Sequence, residues 1–304
     1  MIMLMEEIII SGILAIFGVV FGSFAAASVW RLRAHQLLED KANGESVDKA
    51  EYKKLLPLTK SSIKADRSRC LSCEHPLAWF DLLPLFSWIR LGGKCRYCHA
   101  PIGWFEPLME IGVAVFFITS YLLWPHDLVS ILAVVQFIIW LIAGVLLAIL
   151  FGYDLKWFLL PDKIVFPLIG VGALFAAITL VSSASIVAAL VSLAGAVAIL
   201  SGLYLILWAI SNGQWIGFGD VKLGLALALL LGDWKLAFIA LFAANLIGCV
   251  IVIPGMLMKK ITRSSRIPFG PLLIIGAILA MLCGPWLLSV YLGTMASVTG
   301  LLIG

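Results

Sequence analysis

The chain has 304 residues, of which 62% are hydrophobic and 12% charged, with a formal net charge of +4. Soluble domains carry about 45–50% apolar and about 25% charged residues, so a water-soluble enzyme is excluded. An all-α polytopic membrane protein is expected. The small positive charge is no nucleic-acid footprint, because 13 of the 21 Lys and Arg residues fall between Arg31 and Arg96.

A bilayer-spanning helix needs about 20 predominantly apolar residues. The first such run is Ile8 to Trp30. Its acidic start (Glu6, Glu7) and its length argue for an uncleaved span rather than a signal peptide. Further apolar runs cover 107–124, 127–150, 163–181, 184–209, 219–232, 235–257 and 271–293. About eight transmembrane helices are therefore predicted, the sixth short and separated from the seventh only by Gly232, Asp233 and Trp234. With the N-terminus outside, 20 of the 21 basic residues lie on the inner side, as the excess of Lys and Arg in cytoplasmic loops requires. Lys156, Lys259, Lys260, Arg263 and Arg266 sit in the later inward loops, and Lys163 and Lys222 at inner helix mouths. Lys235 alone faces outward. The predicted organisation is a first helix (1–30), a cytoplasmic loop (31–106) and a seven-helix membrane domain (107–304). Residues 34–66, rich in charge and poor in large apolar side chains, read as a solvated helix or flexible insertion. No internal repeat is expected.

Within the loop, Cys70-x-x-Cys73 is followed by Cys95-x-x-Cys98 after 21 residues. Two such pairs at this spacing are a structural zinc signature, since each turn presents two thiolates and two turns complete a tetrahedron. Four thiolates leave no open coordination position, so the role is structural, and His75 and His99 are surplus. The alternative is disulfides or redox thiols, which a cytoplasmic loop disfavours. Cys249 and Cys283 lie in apolar runs and read as buried packing residues.

Two acidic residues stand out at inner helix mouths. Asp154 follows Gly152-Tyr153 at the mouth of the fourth span, and Asp220 ends Gly217-Phe218-Gly219-Asp220 at the mouth of the sixth. A carboxylate near hydrocarbon is a functional hypothesis by default. Two that meet share a proton, so one can act as base on a water and the other as acid toward an amide. Gly217 and Gly219 would let a peptide backbone approach closely, with Lys222 as further support. The bland alternative is that each Asp caps a helix. Asp162, after Pro161, suits capping better than catalysis. Gly22-Ser23-Phe24 reads as helix packing, and Pro268-Phe269-Gly270-Pro271 as a turn and helix start.

Taken in order, these elements resemble the type IV prepilin peptidases, also called leader peptidase/N-methyltransferases, which are GxGD-type intramembrane aspartyl proteases. The resemblance rests on Gly22-Ser23-Phe24 with Arg31-Leu32, Ser68-Arg69-Cys70 through Cys98, and Pro107-Leu108 with Glu110. It continues through Asp154 to Pro161-Asp162, Gly217-x-Gly219-Asp220-x-Lys222, and Pro268-Phe269-Gly270-Pro271. The step of 66 residues from Asp154 to Asp220 fits that family better than the 58 from Asp162. The resemblance implies cleavage of prepilin or pseudopilin leaders at the cytoplasmic face of the inner membrane by Asp154 and Asp220. It further implies N-methylation of the new terminus with S-adenosylmethionine, and work beside pilus or secretion assembly machinery. For the methyl donor, Gly93-Lys94 on the zinc knuckle is the candidate contact. Ala26 stands where the family usually has Asn and Arg33 where it commonly has Pro, and 34–66 is longer than most. Competing readings are a presenilin-like protease of other substrates and a transporter with the aspartates as a proton relay.

Overall fold

A computed structural model of the chain describes residues 2–59, 68–260 and 267–303, with side chains from 5 to 294 within those ranges. Arg263 and Arg266 of the last inward loop, and residues 60–66 of the insertion, lie outside the described residues. Helices dominate, and among the described residues the only β-pairing is two isolated bridges. The chain divides into two compact units, 1–121 and 122–304.

In the first unit, α1 (Ile2–Ala42) runs well past its apolar stretch, and α4 (Phe105–Leu122) crosses it. Gly18 and Gly22, one turn apart, form the crossing face. A Cβ on Gly18 would stand 2.5 Å from the Ala114 Cα, and one on Gly22 the same distance from the Glu110 Cα. Small residues let helices in lipid approach closely, where apolar tails supply no net hydrophobic drive. The Trp30 indole Nε1 donates to Glu106 at 2.9 Å, and Phe21 packs on Phe117.

The polar insertion has more structure than its composition implies. The cytoplasmic extension of α1 receives α2 (Lys49–Leu55), which Asp48 caps by accepting from the Ala50 and Glu51 N–H groups. Ala34, Leu37 and Leu55 form a small buried core with Tyr52 and Trp30 against it. Arg33 clamps Glu51 through two hydrogen bonds of 2.7 and 3.2 Å. The helical part of the reading for 34–66 holds, but it is packed on α1 and not merely solvated.

The second unit contains α5 (Ile131–Trp157), α6 (Asp162–Ser182), α7 (Ile186–Val197), a π-helical turn (Ala198–Gly202), α8 (Leu203–Ser211), α9 (Phe218–Leu231), α10 (Trp234–Leu257) and α11 (Phe269–Ile303). Across the described residues, seven helices are long and apolar enough to cross a membrane, with α7, the π turn and α8 forming one of them. The eighth predicted segment is α9. Its 14 residues span about 21 Å at 1.5 Å per residue, less than the hydrocarbon core. It is the central helix, packed by α6, α7, α8, α10 and α11. Its buried residues, from Val221 to Leu231, point in every direction.

Small residues again set the closest approaches. Gly224 of α9 faces the Leu200 carbonyl of the π turn, and Gly276 of α11 faces the Ala240 carbonyl of α10, both closely enough that a Cβ would collide. Ala237, Ala240 and Ala244 of α10 meet Ala277 and Ala280 of α11 as fully or almost fully buried residues. Cys249 departs from expectation. It is exposed on α10, and Cys283 is half-buried, because an apolar run in a spanning helix has a lipid face as well as a packed one.

Replacing Gly22 by Val should destabilise the detergent-solubilised protein by about 1–3 kcal/mol, the usual cost of overpacking, because the added carbon meets backbone that cannot yield. Gly12→Val, with nothing within 4 Å, should leave the melting temperature unchanged. Equal melting curves for the two variants would show that the α1–α4 crossing is looser than described.

Candidate active site and metal-binding loop

The loop between α1 and α4 is built from two copies of one turn. In the first, the Cys70 N–H donates to the His75 carbonyl and the Glu74 N–H to the Cys70 carbonyl. In the second, Cys95 donates to Ala100 and His99 to Cys95. Arg69 bridges Pro76 as Lys94 bridges Pro101, and Glu74 and His99 both adopt positive φ, at 59° and 55°. Every equivalent pair is 25 residues apart, so a short repeat exists where none was expected. Its sequence trace is a basic residue, Cys-x-x-Cys, two residues and Pro, at 69–76 and again at 94–101.

The repeat brings the four Sγ atoms of Cys70, Cys73, Cys95 and Cys98 within 4.8 Å of one another. All four are unbridged. Burial works against the Cys70 thiolate, but backbone N–H groups of Cys73 and Ser72 and the thiols of Cys95 and Cys73 bring its pKa down to about 7. At Cys98 the Ala100 N–H favours the thiolate, but burial and the three neighbouring thiols outweigh it and push the pKa up to about 12. Four sulfurs this close do not all ionise without a cation among them, and the donor set fits a soft tetrahedral metal. His75 stacks on Tyr97 instead, with ring centroids 3.8 Å apart. Asp81 ties the two turns by accepting from Arg96 Nε at 2.7 Å and from the Tyr97 hydroxyl at 3.1 Å. Gly93, at φ 69°, packs under the Trp88 ring, leaving Lys94 exposed beside the second turn.

The second cluster is in the second unit. Asp154 is not at the mouth of the fourth span, as expected, but in the last turn of α5, the third. That helix continues past its apolar run and ends at Phe158, which takes the left-handed conformation while its N–H closes on the Asp154 carbonyl. Asp154 is 6% exposed, and its Oδ2 accepts the backbone N–H of Gly270 at 3.1 Å. Asp220 lies in the first turn of α9, and its carboxylate accepts the Gly217 N–H, so part of the capping alternative is real. The two carboxylates lie within electrostatic reach of each other.

Leu160 joins the two halves. A Cβ on Gly219 would meet its side chain at 3.1 Å and one on Gly270 at 3.6 Å. Gly270 has a second constraint, since its Cβ would fall 2.6 Å from Asp154 Oδ2. The Pro268–Pro271 segment is therefore more than a turn and helix start, for it delivers a backbone donor to a buried carboxylate. Asp162 does not cap α6, because Pro161 holds the cap position without a side-chain bond. It pairs with Lys222 of α9 instead. The Lys222 ammonium also lies over the Phe166 and Phe218 rings, at 5.4 and 5.6 Å. Gly217 is exposed and Gly219 half-buried.

Comparison with known proteins agrees with this two-part layout. A family model described as Bacterial Peptidase A24 N-terminal domain matches residues 16–124, and one described as Type IV leader peptidase family matches 141–253. A prepilin leader peptidase/N-methyltransferase of Aeromonas hydrophila is 30% identical over 88% of this chain and 89% of its own. The chain belongs to the type IV leader peptidase family. A type 4 prepilin-like proteins leader peptide-processing enzyme of Escherichia coli O78:H11 is 31% identical over 86% of this chain and 89% of its own. A prepilin leader peptidase/N-methyltransferase of Pseudomonas aeruginosa is 28% identical over 90% and 91%. No solved structure matches the chain. Gly270 falls beyond the second matched segment, so its place beside Asp154 comes from the fold.

The four-thiol cluster predicts one metal ion per chain by elemental analysis. Chelation should release it and make four thiols newly reactive toward a thiol reagent, and Cys95→Ser should lower the metal content and loosen the loop. Purified protein with no metal and two mapped disulfides would contradict the site.

Proposed function

We propose that this protein is a prepilin leader peptidase and N-methyltransferase whose peptide-cleaving groups are Asp154 and Asp220. The observation that carries the reading is that two carboxylates from separate helices, α5 and α9, converge where Gly270 and Leu160 hold them. Like charges at close range ionise together only at a cost, so the pair keeps one proton between them. The ionised carboxylate takes a proton from water as its oxygen attacks the scissile carbonyl, and the protonated one passes its proton to the departing amine. Gly217 and Gly219 carry no side chain to obstruct an extended substrate, and Lys222 with Asp162 fixes the start of α6 against α9.

In the orientation favoured by the basic residues, the N-terminus is outside. The cysteine loop and both aspartates then face the cytoplasm at the inner membrane, where a prepilin leader would be met. The metal of the four cysteines is zinc in this reading. It is held by a complete thiolate set, and its role is to fold a loop with little core of its own. S-adenosylmethionine supplies the methyl group when bound. The exposed Lys94 ammonium, carried on the rigid turn beside Gly93, offers a partner for the donor's carboxylate. Prepilins, pseudopilins and the pilus or secretion machinery that receives them are the partners this reading implies.

Asp154→Asn and Asp220→Asn should each abolish leader cleavage while the protein stays folded in the membrane, since Asn keeps the shape but cannot move a proton. Gly270→Ala should lower cleavage by more than tenfold, on the order of a lost electrostatic contact at a reacting centre, because its methyl displaces Asp154. Gly248→Ala, which meets only the Leu272 side chain at 3.2 Å, is the control. Cleavage by Asp154→Asn together with its loss in Asp162→Asn would assign the first aspartate to 162 instead.

Mass spectrometry of pilin processed with S-adenosylmethionine present should show one methyl group added to the new N-terminus. Lys94→Ala should reduce that addition and spare cleavage. A cleaved but unmodified product would leave a peptidase alone.

A further inference from the structure

Tyr204 opens α8 directly after the π turn, in a span that carries no residue of the aspartate motifs. It is only 4% exposed, and its hydroxyl is buried without a hydrogen-bond partner among the described residues. Buried hydroxyls are ordinarily bonded, and leaving one open is costly. The hydroxyl lies within electrostatic reach of Asp220. Its ring packs edge-on against Phe269 with centroids 5.4 Å apart, and Phe269 is the residue before Gly270, the donor to Asp154. Tyr204 thus reaches both halves of the aspartate site from a third helix.

The backbone has been adjusted to put it there. A π turn accommodates one extra residue, which rotates everything after it by about 100° relative to an uninterrupted α-helix. The π turn at 198–202 is braced against α9. Ser201 Oγ donates to the Val221 carbonyl at 3.0 Å, and Gly224 lets the Leu200 carbonyl approach. Val221 is the neighbour of Asp220, so the irregular turn and the aspartate are held by the same stretch of α9. The aromatic contact with Phe269 fixes the ring, which leaves the hydroxyl as the group without an assignment.

We propose that the Tyr204 hydroxyl is a hydrogen-bond donor to the carbonyl oxygen of the peptide bond being cleaved. The inference rests on the assignment of Asp154 and Asp220 given above. As the water oxygen bonds to the carbonyl carbon, the π pair of the C=O bond moves onto its oxygen and the water proton goes to the ionised carboxylate. Tyr204 keeps its own proton and holds the developing oxyanion. When the C–N bond breaks, the pair returns to re-form C=O and the other aspartate protonates the amine. A donor that meets charge only as it develops raises kcat more than it lowers KM.

The test is cleavage kinetics of Tyr204→Phe on a prepilin, in the full-length enzyme in detergent or lipid. Phenylalanine keeps the ring contact with Phe269 and removes only the hydroxyl. The expected result is a kcat lower by roughly 10²-fold, the scale of one oxyanion donor, with KM and melting temperature unchanged. Ser201→Ala, which removes a structural hydroxyl from the same span, should lower the melting temperature without that selective loss of kcat. An unaltered kcat in Tyr204→Phe overturns the proposal, as does a rise in KM alone or a loss of activity matched by a loss of folded protein. If Tyr204→Phe does not accumulate, a ring-fluorinated tyrosine at 204 replaces it. A changed kcat at constant melting temperature then supports the donor role, and an unchanged one overturns it. Asp154→Asn and Asp220→Asn run in parallel. Activity in either sinks the aspartate assignment, whereas two inactive variants beside a normal Tyr204→Phe sink this inference alone.

Discussion

A carboxylate carried by an apolar helix has to find its partners inside the protein, and Asp154 finds one in the backbone N–H of Gly270. Hydrocarbon offers no donors, so unsatisfied polar groups there are expensive. The bond ties the end of α5 to the start of α11, two elements 116 residues apart in sequence, at the point where α9 presents Asp220. It also fixes residue 270 as glycine, because any side chain would enter the space of the carboxylate. Much of the site follows from that one contact. Leu160 fills the gap between the two glycines, and the ion pair of Asp162 with Lys222 anchors the neighbouring helix start.

The surrounding bundle is organised by close backbone approach. Lipid removes the hydrophobic reward for helix association, so packing and small residues carry it. Gly18 and Gly22 do this for α1 with α4, Gly224 for α9 with the π turn, and Gly276 with the alanines of α10 for α10 with α11. The short α9 is possible because it is enclosed by its neighbours. A helix in contact with lipid at that length would leave its end groups unsatisfied, whereas one wrapped by protein can end where the site needs a carboxylate.

The cysteine loop solves a different problem, that of folding a polar segment with almost no core. Two copies of one hydrogen-bonded turn place four thiols together, and Asp81 links them through Arg96 and Tyr97. A single metal would then neutralise thiolates whose mutual repulsion otherwise opposes the arrangement. The extension of α1 with α2 adds a small apolar core of its own and a clamped Arg33–Glu51 pair. Arg33, at a position where relatives of this kind commonly carry Pro, is therefore part of a local structure particular to this chain's longer insertion.

The membrane character, the approximate spans, the four-cysteine cluster and the choice of Asp154 and Asp220 as the acidic pair were all legible in the sequence. Each is written in composition or in spacing along the chain. The repeat of the cysteine turns was also written there, in the basic residue and the proline that flank both pairs, though hydrogen bonding makes it plain. Other features depended on what distant segments meet. Asp154 lies within α5 because that helix runs beyond its apolar stretch, a continuation hydropathy does not record. Asp162 has the position of a cap but the partner of an ion pair, because Lys222 comes to it from another helix. Gly270 and Tyr204 carried no signal of their own: a glycine in a turn and a tyrosine in an apolar span are ordinary until tertiary packing sets them beside a buried carboxylate. Sequence thus determined which groups could do chemistry in a membrane. Only the tertiary structure decided which backbone and side-chain donors face them, because those contacts join residues that no local period relates.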